Sequence, residues 1–325
     1  MKIVPTLVLA SLALLAPTLA RAESVAEANA ISEAIFGPRQ PVDEAYGAFQ
    51  RGYYLTALSL ALPRAEQDDA PAQTLIAEIY AQGLGVAQNP ARASNWYALA
   101  DKNGDIAATF ELAMMYQNGR GVPKDRKKAA ELFKKAAETG NPEAKYNMAL
   151  LHVEGLYAEP NLARAAALLK DAAEAQLAEA QYDYGMVLLE GAGVPPAPEA
   201  GAEQIKLSAQ QGYGPALIDY ATLLYLGQGV KRNLDEAIAW YDRAASAGSP
   251  VAQNRLAKLY AAGEGVELDL QTAAMWRALA RRQGLTDPAL DKLLISVSAG
   301  DLAAAEERAR FWPSKPPTRA ESLKP

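Results

Sequence analysis

YLGQGVKRNLDEAIAW, residues 225–240, places Gly227 and Gly229 just ahead of a stretch with helical spacing. Glycines before a helix can cradle a phosphate. Such a loop is expected once, after a strand, and with a following Gly-Lys-Ser/Thr. This one recurs. Its first glycine falls at Gly83, Gly119, Gly155, Gly191, Gly227 and Gly263, always 36 residues apart. The second follows at Gly85, Gly121, Gly193, Gly229 and Gly265, with Tyr157 as the exception. A fixed period of this length marks a repeat architecture.

Other columns keep the period. Ala77, Ala113, Ala149, Gly185, Ala221 and Ala257 are small, as are Ala93, Ala129, Ala165, Gly201, Ala237 and Ala273. Trp96, Leu132, Leu168, Trp240 and Trp276 are large, with Gln204 out of pattern. Gly104, Gly140, Gly212, Gly248 and Gly284 close each unit, and Gln176 departs from them.

Each unit therefore reads as two helices. Ile76, Ala77, Ile79 and Tyr80 give the apolar face of the first. Asp69, Asp105, Asn141 and Ser249 stand ahead of first helices as N-caps. Asn89, Asp125, Asn161, Asn233 and Asp269 cap the second helices, and Glu236 completes a capping box with Asn233. Gly83 stops the first helix by entering the left-handed region. Asp68 and Asp69 together read as capping residues. Small residues at facing positions allow close helix approach, and the large column fills the gap beside them. No pair can bury its apolar face alone, so the expected fold is an all-α solenoid.

The unit ALIDYATLLYLGQGVKRNLDEAIAWYDRAASAG, residues 216–248, resembles the Sel1-like repeat, a 36-residue relative of the tetratricopeptide repeat. The likeness runs over residues 72–284 and implies an all-α, right-handed α/α superhelical solenoid of such helix pairs. The stretch AAMWRALARRQGLTDPALDKLL, residues 273–294, resembles the ending of exported alphaproteobacterial Sel1-like proteins. The expected organisation is a signal peptide at 1–22 and a linker at 23–41. A tetratricopeptide-like helix pair at 42–68 and six repeats at 69–284 follow. Capping helices at 285–312 and a disordered tail at 313–325 complete the chain.

The signal rests on Met1-Lys2, the apolar run Ile3–Ala16 and the cleavage motif Ala20-Arg21-Ala22. Lys2 and Arg21 leave with it, so the formal charge of −6 becomes −8. That charge argues against nucleic acid as a general partner. No later stretch is apolar enough to span a bilayer. The chain has no cysteine, which excludes disulfides and a cysteine-linked lipid anchor. These features point to a periplasmic location.

The repeats are unequal. The fourth lacks its cap, since Ala197 stands there, and it has Gly201 and Gln204 in the small and large columns. It is therefore expected to be the softest junction. His152, the only histidine, occupies the column of Tyr80, Tyr116 and Tyr260 and is expected to pack in the core. A role as a pH sensor is the alternative. One histidine without cysteine leaves little basis for zinc or for a Ser-His-Asp hydrolase. No enzyme activity, cofactor or metal is expected.

Repeat solenoids bind along a concave face lined by first helices. By resemblance to tetratricopeptide arrays, columns 74, 78 and 81 and their repeats form that stripe. It would hold Phe110, Met114, Tyr146, Leu150, Tyr182, Met186, Ile218 and Tyr225, with Asn147, Asp183 and Asp219 beside it. Gln117, Val153, Leu189 and Thr222 continue it. The resemblance implies a non-catalytic scaffold that binds a protein partner, such as a regulator of envelope signalling or exopolysaccharide production. A cell-wall or glycan binder, or a weak β-lactam-binding enzyme, is the alternative.

Overall fold

A computed structural model describes residues 43–155 and 159–313. The expected signal, linker and tail beyond Pro313 lie outside the described residues, as does Tyr157. Among the described residues there are sixteen helices and no strand. They form two compact units that divide between Leu99 and Ala100.

The first unit holds α1 (Glu44–Gln50), α2 (Tyr54–Ala65), α3 (Ala70–Gln82) and most of α4 (Pro90–Lys102). Arg64 ties it together, bonding Asp43 at 2.8 Å and Asp69 at 2.7 Å. Ala57, Ala61, Ile76 and Ile79 form its core.

The second unit continues with α5 (Ile106–Asn118), α6 (Arg126–Glu138), α7 (Pro142–Glu154), α8 (Leu162–Glu174), α9 (Ala178–Glu190) and α10 (Pro198–Gln210). Then come α11 (Gly214–Leu226), α12 (Leu234–Ser246), α13 (Pro250–Ala262) and α14 (Leu270–Arg282). The short α15 (Pro288–Leu294) and α16 (Ala299–Phe311) end it. From α5 to α14 each helix packs on its neighbours in the chain, and α16 lies against α14. This is an all-α solenoid.

The turn from Gly227 to Asn233 shows why the glycine motif repeats. Gly227 ends α11 at φ 72°, and its N–H bonds Leu223 O at 2.8 Å. Gly229, at φ 66°, lies so close to the preceding second helix that an added Cβ would sit 2.3 Å from Pro198 O. The loop thus folds back onto its neighbour, which only glycine permits. Asn233 closes the turn: its N–H bonds Leu224 O at 3.0 Å and its side chain accepts from Glu236 N. The expected capping box differs in detail. Glu236 accepts from the Asn233 side chain, because the Asn233 backbone N–H is already used.

Asp69, Asp105, Asn141 and Ser249 each cap a helix through the side chain. Asp68 takes φ 62° at the end of the preceding helix. Gln176 takes φ 65° in the column where Gly104, Gly140, Gly212, Gly248 and Gly284 also have positive φ. The units are further joined by buried glutamines that the sequence patterns do not reveal. Gln181 donates to Ala173 O and Gln253 to Ala245 O, while Gln211 and Gln283 donate to their side-chain oxygens.

The fourth repeat, expected to be the softest junction, holds a close approach of two helices. Gly185 of α9 and Gly201 of α10 face one another. A Cβ on Gly185 would lie 2.8 Å from Gly201 O, and one on Gly201 would lie 2.7 Å from Gly185 O. The paired glycines let two backbones meet where alanines hold the other pairs apart. Pro198 starts α10 in place of a polar cap, and Ala197 N still bonds Leu188 O at 2.8 Å.

At the far end, the buried guanidinium of Arg277 bonds both carboxylate oxygens of Asp291 and Leu285 O. Asp287 binds Lys258 at 2.7 Å and accepts from Asn254 at 2.9 Å. Those bonds pull the Asp287 carboxyl down to about 2. Trp312 meets Trp276 edge to face at 4.8 Å, so α16 and the residue after it cover the last large-column side chain.

Candidate functional site

The expected stripe lies on the first helices α5, α7, α9 and α11. Each helix presents residues spaced i, i+4 and i+7, which share a face. Phe110, Met114, Tyr146, Asn147, Leu150, Tyr182, Asp183, Met186, Ile218, Asp219 and Tyr225 are all partly exposed. Their inner edges pack on the core. Phe110 meets Phe133 at 5.7 Å, and Tyr182 meets Tyr213 at 5.4 Å. Val153 stands out further, at 51% exposure.

The structure joins stripe residues across units. Tyr146 donates to Asp183 at 2.9 Å, and Tyr182 donates to Asp219 at 2.7 Å. Each rung spans from one first helix to the next. Tyr225 makes a related bond to Glu264 at 2.8 Å, and Arg232 also pairs with that carboxylate. Burial pushes the Asp183 carboxyl up from its usual value, opposed by the Tyr146 bond. Burial, then the bonded carboxylates, push the Tyr146 and Tyr182 hydroxyls well above the ordinary tyrosine value. Both therefore stay protonated at neutral pH and remain donors.

The rungs stop where their residues change. Phe110 has no hydroxyl, and Asn147 instead donates to Glu143 O at 2.8 Å. Thr222 shares a hydrogen with Tyr241 at 2.8 Å. Beside Leu150 and Asn147 lies a small hollow of about 80 Å³, also lined by Gln117. The buried Oε1 of Gln117 has no hydrogen-bond partner among the described residues.

A larger cavity lies away from the expected stripe, on the other side of the first helices. It occupies about 730 Å³ between α6, α7 and α8. Met148, His152 and Leu168 line it, with Ala130 and Ala137. His152 is therefore a half-buried wall residue rather than a core one, with Nδ1 2.9 Å from Glu159 O. The sequence does carry a signal for this hollow. Leu168 stands in the tryptophan column, and Met148 precedes Tyr184 and Tyr220 in its own.

Among the described residues no group of three or more His, Cys, Asp or Glu side chains could hold a metal. No described helix is long and apolar enough to cross a membrane. The described residues form a helical-repeat solenoid, a class commonly used as an interaction scaffold. The Sel1 repeat model matches six consecutive blocks, 70–105, 106–141, 142–177, 178–213, 214–249 and 250–285. The chain belongs to the Sel1 repeat family.

Two solved structures are similar. One is c5321, a protective antigen of uropathogenic Escherichia coli strains displaying an SLR fold. It is 25% identical over 78% of this chain, with a TM-score of 0.70. The match spans 58% of that protein's length. The other is a Sel1 repeat protein from Oxalobacter formigenes, 29% identical over 75% of this chain and all of its own, with a TM-score of 0.68. A comparison with curated proteins finds no match.

Proposed function

We propose that the protein is an exported, non-catalytic adaptor that holds a protein partner along the stripe of α5, α7, α9 and α11. The observation that carries this reading is the row Tyr146, Tyr182, Met186, Ile218 and Tyr225, partly exposed side by side on successive units. Aromatic and methionine side chains suit a protein interface. The tyrosine–aspartate rungs hold the row in place before any partner arrives, which lowers the ordering cost of binding.

The leader-like residues 1–22 support a periplasmic site of action, with an envelope protein as partner. Control of envelope signalling or of exopolysaccharide production fits an adaptor in that compartment.

Photo-reactive residues at Met114 and Leu150 test the stripe without touching the rungs. The expected result is one discrete cross-linked protein, lost when Met186→Lys and Ile218→Lys are combined in a chain that still melts normally. Equal cross-linking from an exposed position outside the stripe, such as Lys170, refutes the assignment. Fractionation of cells tests export separately; retention in the cytoplasm with residues 1–22 intact overturns that part.

A further inference from the structure

The cavity between α6, α7 and α8 can be compared with the same place two units on, because its lining residues recur 72 positions later. There Met148 becomes Tyr220 and Leu168 becomes Trp240. Tyr220 and Trp240 meet edge to face at 5.5 Å and fill that position. Glu236 accepts from the indole N–H at 3.4 Å, and Arg243 lies over the ring at 5.4 Å. One unit on, Tyr184 and Gln204 stand there. The third repeat has shortened both side chains, and the space that an aromatic pair fills elsewhere in this solenoid is open.

The rim is not electrically uniform. Lys134 is paired with Glu138 at 3.9 Å, and Lys145 with Asp171 at 2.8 Å. Lys127 and Arg164 have no ion pair among the described residues. They lie in the first turns of α6 and α8, which begin at the same end of the groove as second helices of successive units. Glu131, one turn after Lys127, and Glu159 also line the hollow, and Asp125 caps α6; the positive end of α8, capped by the neutral Asn161, adds to Lys127 and Arg164 there. In the filled unit the corresponding positions are Glu199 and Glu236. Charge and shape have therefore changed together.

We propose that this hollow is a second docking site, independent of the stripe, which takes an aromatic side chain of a partner protein segment with a carboxylate beside it. The ring lies on Met148 and Leu168, as Trp240 lies on Tyr220. The neighbouring carboxylate faces Lys127 and Arg164. A cavity of this size holds a large side chain and its flanking backbone.

The test uses the full chain and three blocked tetrapeptides, Ac-Ala-Trp-Glu-Ala-NH2, its Trp-Gln counterpart and its Ala-Glu counterpart, followed by amide chemical shifts. The Trp-Glu peptide is expected to shift signals of α7 and α8 near Met148 and Leu168. The other two should bind at least about tenfold more weakly, the scale of losing one anchoring group. Leu168→Trp, which restores the side chain of the filled unit, should abolish binding while leaving the melting temperature unchanged or higher. If that variant misfolds, Lys127→Glu with Arg164→Glu, both at exposed positions, carries the test: it should remove the preference for Glu over Gln. No shift in the native chain, or undiminished binding by a folded Leu168→Trp chain, overturns the proposal. Equal binding of the Trp-Glu and Trp-Gln peptides overturns the carboxylate assignment.

Discussion

Replacing Gly185 by alanine tests whether the fourth repeat is a close-packed joint. In an open helix interior, glycine to alanine stabilises by about 1 kcal/mol. Here the new methyl would lie 2.6 Å from Ile205 Cγ1 and 2.8 Å from Gly201 O. Ordinary contact needs about 3.5–4.0 Å, so α9 and α10 must separate by roughly 1 Å. Ile205 is fully buried and has nowhere to turn, and a backbone oxygen cannot rotate away. Overpacking of this kind costs about 1–3 kcal/mol, and the rigid oxygen favours the upper part of that range. After subtracting the propensity gain, a net loss of about 1–2 kcal/mol is expected. Urea unfolding followed by circular dichroism reads it, with Gly47→Ala as the control. At Gly47 a Cβ would meet only the flexible tip of Arg51, at 3.4 Å, so stability should hold or rise. Hydrogen exchange of residues 195–210 should be as slow in the native chain as in neighbouring repeats, and faster in Gly185→Ala. A gain in stability for Gly185→Ala, matching Gly47→Ala, would refute the close backbone approach.

Gln176 holds φ 65° where its sister units have glycine, so Gln176→Gly should raise stability by about 1 kcal/mol in thermal melts, relieving left-handed strain. Asp291→Ala strips the buried Arg277 guanidinium of its carboxylate and should cost about 3 kcal/mol in denaturant titration. Asp287, held near 2 by Lys258 and Asn254, contributes stability that is present above its ordinary carboxylate range and disappears as pH falls towards 2. The native chain should therefore exceed Asp287→Asn in melting temperature at neutral pH and converge with it near pH 2. Tyr146 and Tyr182 have raised values, so the folded state keeps their protons longer and stability should fall as pH climbs above 10. Tyr146→Phe with Tyr182→Phe should be less stable at neutral pH and show a shallower alkaline decline in the same melts.

The turns and helix limits are legible in the sequence because they depend on local chemistry. Gly83 and Gly227 stop helices through their own φ, and Asp105 or Asn233 caps through its own side chain. Asp68 is ambiguous because aspartate serves both as a cap and as a left-handed residue, and the helix end that it terminates decides between them. The period locates the stripe but not its tyrosine–aspartate rungs. Their partners are 37 residues apart and meet only when one first helix is laid beside the next.

The order of amino acids is enough to specify the repeat, its 36-residue step and the two-helix unit, since each follows from periodic residues acting on their own backbone. The irregular residues acquire their meaning only through packing. Gly185 and Gly201 look like defects one at a time and become a close contact only when paired. Leu168 and Met148 look like ordinary core residues, and only packing α7 between α6 and α8 shows the volume they fail to fill. Both outcomes depend on distances between helices, which no single helix carries in its own pattern.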